Sequence, residues 1–163
     1  MSKFKILGMM ALIAFAMGIF LVSDALAGEM IKCRTAWFNT KMERIDVGDE
    51  KGHIIGLFES KGVISNMEGK TFGEGWLALN VGLLDISPKT GRTGNGYMEL
   101  TDRDGNKIYM KWDLKPSGPS PWIFFKGTGK FEGIQGKGTH STVSTADPKL
   151  TYVNWEGEVE LPR

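Results

Sequence analysis

The chain predicts an all-β fold: a single antiparallel eight-stranded β-barrel that follows an N-terminal signal peptide. Three observations carry this. Almost nothing after residue 28 has helical period. Twenty-two glycines fall in 163 residues, only Gly8 and Gly18 ahead of residue 28, and the rest cut the chain into short strand-like pieces. The run Tyr97 to Asp113 alternates, turns at Asp104-Gly105 and alternates again, the strongest short-range hairpin signal in a sequence.

The leader comes first. Lys3 and Lys5 make a positive n-region, Ile6 to Val22 is apolar, and Ala25-Leu26-Ala27 is a small-x-small cleavage site. The expectation is cleavage after Ala27, with residues 1–27 removed and residues 28–163 forming one barrel domain in the periplasm or outside the cell. The apolar run is shorter than the about 20 residues that span a bilayer, so no stable membrane insertion is expected after cleavage. Gly28, not Cys, follows the site, so there is no thiol to acylate.

The elements follow in order. Met30–Phe38 and Lys41–Val47 are candidate first strands. His53–Ser60 is apolar and β-branched, and Gly75–Leu84 alternates around Trp76, Leu77, Leu79 and Val81. Pro88–Gly96, closed by glycines, predicts a loop. In the hairpin, Met98, Leu100, Ile108, Met110 and Trp112 share one face; Glu99, Thr101, Lys107, Lys111 and Asp113 share the other with Tyr97 and Tyr109. Pro116, Pro119 and Pro121 mark a loop over Lys115–Pro121. Pro121–Phe125, Lys137–Ser144 and Leu150–Leu161 complete the strands. Between them, Phe125 to Gly138 holds five glycines, a density that no helix tolerates; it predicts a tight turn. Consecutive hairpins favour a barrel over a sandwich, because closure removes exposed edges.

Charge and motifs exclude several functions. Lys3, Lys5 and Asp24 account for the whole formal net charge of +1, leaving the remainder neutral. Basic residues are scattered among acidic ones, so no nucleic-acid partner is expected. Cys33 is the lone cysteine, so no internal disulfide forms, and a buried hydrophobe is its expected role. His53 and His140, the two histidines, are far apart in sequence and predict strand-edge or surface rings, not a metal site. No Gly-x-Ser-x-Gly elbow occurs. The glycine pairs Gly73-x-Gly75, Gly127-x-Gly129 and Gly136-Lys137-Gly138 lack the third glycine, the Ser/Thr or the following helix of a phosphate cradle. No cofactor is expected.

Two constellations remain. If the Tyr97–Glu99–Thr101 face pointed inward, Glu99 would be desolvated and able to act as acid or base, with Tyr97 and Tyr109 beside it. The alternation favours the opposite, with Glu99 in solvent opposite Lys111. The second is aromatic. Trp122, Trp76, Phe124 and Trp112 are candidate ligand-contacting rings, with Trp122, next to the proline-rich loop, at the mouth of a cavity. Core filling is the default for all of them.

The segment Phe125, Gly127-Thr128-Gly129, Phe131 and Gly133 resembles the turn of the allene oxide cyclase and dirigent barrels, a motif that exported bacterial proteins of unassigned function share. The upstream Gly94-x-Gly96-Tyr97 to Thr101-Asp102-x-Asp104-Gly105 is similar too. The resemblance covers about a third of the mature chain. It implies a calycin-like, eight-stranded barrel with a mostly apolar cavity, assembled as a homo-oligomer. It places no catalytic residue here, because the matched turn contains none. The reading taken forward is a barrel of the bacterial envelope that binds a small apolar ligand or a partner. An isomerase or cyclase acting inside the barrel, and a packed structural barrel, are the alternatives.

Overall fold

The computed structural model describes residues 28–68, 72–147 and 149–162. The leader expected over residues 1–27 lies outside them. The strands are β1 (Glu29–Asp46), β2 (Ile54–Asn66), β3 (Leu77–Ser87), β4 (Gly91–Thr101), β5 (Lys107–Leu114), β6 (Ser120–Gly127), β7 (Gln135–Ser144) and β8 (Leu150–Glu160), with a 3-10 turn at Gly129–Phe131. Each strand pairs antiparallel with the next, and β8 closes on β1 in one barrel.

Two segments depart from the sequence reading. Lys41–Val47 is no separate strand; it continues β1 across a bulge between Asn39 and Lys41. The extra residue, Thr40, shifts the inward parity from Trp37 and Asn39 to Met42, which pairs with Phe58. The expected loop Pro88–Gly96 is instead a short turn followed by β4 from Gly91. Gly91 makes the turn with a positive φ, and Gly94 and Gly96 are inner-wall positions of the strand, so they carry no side-chain alternation to read.

The hairpin β4–β5 has the expected faces. Met98 opposes Met110 and Leu100 opposes Ile108, and all four are buried. A second bulge, opposite the Tyr109–Met110 step, falls at Phe125 of β6; Phe124 keeps the inward parity of Trp122 and is buried, while Phe125 stands outside. On β3 the large apolar residues Leu77, Leu79, Val81 and Leu83 are exposed, while Ala78 and Leu84 are buried.

The interior is built from large rings set over inward-facing glycines. A Cβ on Gly82 would come within 2.6 Å of Trp112 Cζ2, and one on Gly96 within 2.5 Å of the same atom. Gly138 and Gly157 stand in the same relation to Trp122, each at 2.7 Å, and Gly136 to Phe124 at 2.5 Å. At one end a plug closes the barrel. Trp76, from the β2–β3 connection, lies 4.9 Å from Phe72 and 5.2 Å from Phe131 between ring centroids.

Asp102 organises the β4–β5 turn. It is buried and accepts the backbone N–H groups of Asp104 (2.9 Å) and Asn106 (2.8 Å), with Lys130 Nζ at 2.7 Å. Burial alone would raise its pKa. The Lys130 ammonium and the Asn106 and Asp104 donors outweigh it and hold the carboxyl at about 2.

Replacing Gly82 with Ala is expected to cost about 1–3 kcal/mol in urea unfolding, and Gly82→Ala combined with Trp112→Phe to cost less than the sum of the two. Additive costs would show that the ring and the glycine do not oppose each other. A carboxyl with a depressed folded pKa stabilises above its unfolded value and loses that contribution as pH falls through the folded one. Asp102→Asn should therefore flatten the fall in melting temperature between about pH 4 and pH 2, set by 3.8 unfolded and about 2 folded.

Candidate functional site

The end opposite the plug, where the β1–β2, β3–β4, β5–β6 and β7–β8 turns lie, opens into a cavity of about 90 Å³. Its rings are Trp37, Phe58, Trp112, His140 and Trp155. Its polar groups include Asn39, Ser60 and Asn80 at inner-face positions of the strands, with Thr142, Thr151 and Arg92 toward the rim.

Asn39, Ser60 and Asn80 are hydrogen-bonded within the wall. Ser60 Oγ donates to Asn39 Oδ1 at 2.7 Å, and Trp112 Nε1 to Asn80 Oδ1 at 2.8 Å. Below the cavity, Trp155 Nε1 donates to Thr35 Oγ1 at 3.0 Å. Two ring nitrogens of the wall have no partner among the described residues: Trp37 Nε1 and His140 Nδ1. His140 is 8% exposed and lies between Trp112 and Trp155, with centroids at 6.1 and 4.9 Å. Its Nε2 is 3.1 Å from the Asp113 carbonyl. A carbonyl only accepts, so Nε2 carries the proton and Nδ1 presents a bare lone pair. Burial pushes the pKa of the ring down against the smaller pull of that carbonyl, which leaves it neutral at pH 7.

Several charges above the cavity are paired. His53 sits between Asp49 (2.5 Å) and Asp85 (3.0 Å), pinning the β1–β2 turn to β3. The hydrogen bond to Asp49 leads in raising its pKa. Glu50 accepts from Ser87 and pairs with Lys89 at 3.0 Å. Arg92 has no carboxylate partner among the described residues. Desolvation lowers its pKa, but a guanidinium stays charged.

The residues singled out in the sequence fall in three places. Glu99, Tyr97 and Tyr109 are on the outer face, not inside. Glu99 pairs with Lys107 Nζ at 2.8 Å, not with Lys111, and Tyr97 and Tyr109 flank Phe125 with centroids at 5.9 and 6.3 Å. The apolar neighbours Met98 and Leu100 claim the inner face and force Glu99 out. Trp122 is not at a mouth. It is 2% exposed, donates Nε1–H to the Thr139 carbonyl at 3.0 Å, and with Phe124 borders a void of about 30 Å³ near the plug. Trp76 belongs to the plug. Only Trp112 of the four candidate rings lines the open cavity. Cys33 is buried, which pushes its thiol up to about 11. His140, expected at a surface or strand edge, is instead a core ring.

Trp37, His140, Asn39, Ser60, Asn80 and Arg92 were not anticipated as a group. Their signal is a polar residue on the inward parity of a strand, and it could be read only once each strand's register was known.

No family model matches this chain, and no curated protein does. Solved structures show the fold. A pterocarpan synthase dirigent protein superposes with TM-score 0.54 at 10% identity, over 88% of this chain and 94% of that one. A second pterocarpan synthase dirigent protein gives 0.53 at 11% identity, over 84% and 98%. Pyocyanin demethylase gives 0.47 at 15% identity, over 80% and 100%. The chain has the barrel fold of the two dirigent proteins.

An exposed ion pair contributes little. Glu99→Gln should change stability by less than about 1 kcal/mol and, like Tyr97→Phe and Tyr109→Phe, leave binding in the cavity unaltered. A loss of binding in a titration of any of these variants would bring the outer face into the site.

Proposed function

We propose that this protein binds a small, largely apolar ligand in the open-end cavity, in the exported compartment that its leader specifies. The observation that carries this is an aromatic-walled cavity whose wall holds two buried ring nitrogens without partners. A buried polar group left unsatisfied costs about 1–3 kcal/mol, and a guest whose entry moved the wall enough to uncover Trp37 Nε1 or His140 Nδ1, both closed off in this structure, would recover part of that. The dimensions favour a small guest. An apolar cavity of about 150 Å³ takes up benzene, so about 90 Å³ with an open mouth suits one ring or a short alkyl end held from above. Holding a substrate in one orientation, a directing role, needs the same features.

The reading of an isomerase or cyclase rested on Glu99, Tyr97 and Tyr109. All three lie outside the barrel, and no carboxylate lines the described cavity wall. The packed-barrel reading describes the plug end, where the void is only about 30 Å³, better than the open end.

2-Phenylethanol is expected to quench the tryptophan fluorescence saturably, since Trp37, Trp112 and Trp155 line the cavity. Val153→Phe fills that space from β8 and should abolish the quenching, while circular dichroism shows an intact barrel that has lost about 1–3 kcal/mol to overpacking. Absence of quenching in the natural protein, or unchanged quenching in Val153→Phe, would overturn the proposal.

A further inference from the structure

We infer that the ligand is an anion, a carboxylate carried on a small apolar body, and that Arg92 at the rim is its partner. This rests on the cavity reading above and specifies its guest. Arg92 occupies the inward parity of β4, above Gly94, Gly96 and Met98. It is the one charged side chain on the described cavity wall; His140, the other titratable group there, is neutral. Three acids at this end are engaged elsewhere: Asp49 and Asp85 by His53, and Glu50 by Ser87 and Lys89.

An arginine that borders an apolar cavity without a carboxylate of its own presents five N–H donors in a planar fork. That fork matches a carboxylate through two parallel hydrogen bonds, weakened by the solvent that reaches the exposed Arg92 side chain. A cationic guest would meet like charge at the rim. A neutral guest would leave the guanidinium as it is. The wall below offers rings for an apolar body, so the site has a charged end and an apolar end in the order that an aryl or short alkyl carboxylate needs.

The test compares three near-isosteric probes, phenylacetate, 2-phenylethanol and 2-phenylethylamine, by fluorescence titration of the natural protein and of Arg92→Met. Phenylacetate should bind roughly tenfold tighter than the alcohol, in keeping with a charge-assisted hydrogen bond weakened by solvent at the rim, and the amine should bind weakest. Arg92→Met should bring phenylacetate to about the level of the alcohol and weaken the alcohol far less than the acid; Arg92→Lys, which keeps the charge and loses the fork, should fall between. Equal affinity for acid and alcohol in the natural protein, or equal weakening of both by Arg92→Met, would overturn the inference while the cavity reading stood. Failure of all three probes to bind would overturn the cavity reading and this inference with it.

Discussion

An eight-stranded barrel is just wide enough for its inward side chains to fill it, so a large ring at one inward position demands a missing side chain opposite. That constraint orders this structure. Trp112 occupies space that Gly82 and Gly96 leave, Trp122 the space over Gly138 and Gly157, and Phe124 the space over Gly136. Rings and glycines are two halves of one packing solution. Glycine in a strand interior is normally a weakness, because it adds backbone entropy and packs nothing; here the entropy is offset by the burial of a ring against bare backbone. The same constraint explains β3. With Trp112 against its inner face, that face has room for Ala78, Asn80 and Gly82, and the large aliphatic residues Leu77, Leu79, Val81 and Leu83 stand outside.

The filling differs between the ends, and the difference creates the cavity. Toward the plug, Met98, Leu100, Ile108 and Met110 join Trp122 and Phe124, and the remaining void is about 30 Å³. Toward the open end the inward positions carry Asn39, Ser60 and Asn80, shorter and polar. They are tolerated because they satisfy one another or an indole N–H, and a satisfied polar network costs far less to bury than isolated groups. The bulge at Thr40 contributes too. By changing the parity of β1 it turns Met42 toward Phe58 at the mouth and sends Lys41 and Glu43 outward, where they pair at 2.8 Å.

How much of this the sequence showed depends on the kind of signal. The hairpin at Asp104-Gly105 was legible in full, since a turn dipeptide and two alternating strands are local features. The class of fold was legible from glycine spacing, and the barrel from the string of hairpins. The placement of Glu99 was legible as the outcome the alternation favoured, though its partner was not, because Lys107 reaches it diagonally while the register sets it opposite Tyr109. β4 was hidden by the very glycines that make room for Trp112. The site was hidden for a related reason. A tryptophan in alternation looks the same at either end of a barrel, and only the closed register shows that Trp122 faces a packed interior while Trp37 borders an opening. Arg92 had no local signal, being one basic residue next to a turn.

A division of labour along the barrel axis follows. The plug end combines the tightest aromatic packing with a buried, strongly hydrogen-bonded carboxylate at Asp102, which Lys130 ties to the 3-10 turn. Among the described residues the void there is only about 30 Å³, and the Cys33 thiol, held near 11 by burial, is the wrong species for nucleophilic chemistry at neutral pH. The open end leaves two ring nitrogens unsatisfied and a cation unpaired, a local loss of stability that the closed end can bear because β-ladders couple the whole barrel. Binding sites are commonly held this way, with unsatisfied groups positioned by a scaffold whose stability lies elsewhere. It follows that substitutions at the two ends should separate: those at the plug act on the folding equilibrium, and those at the rim act on the guest.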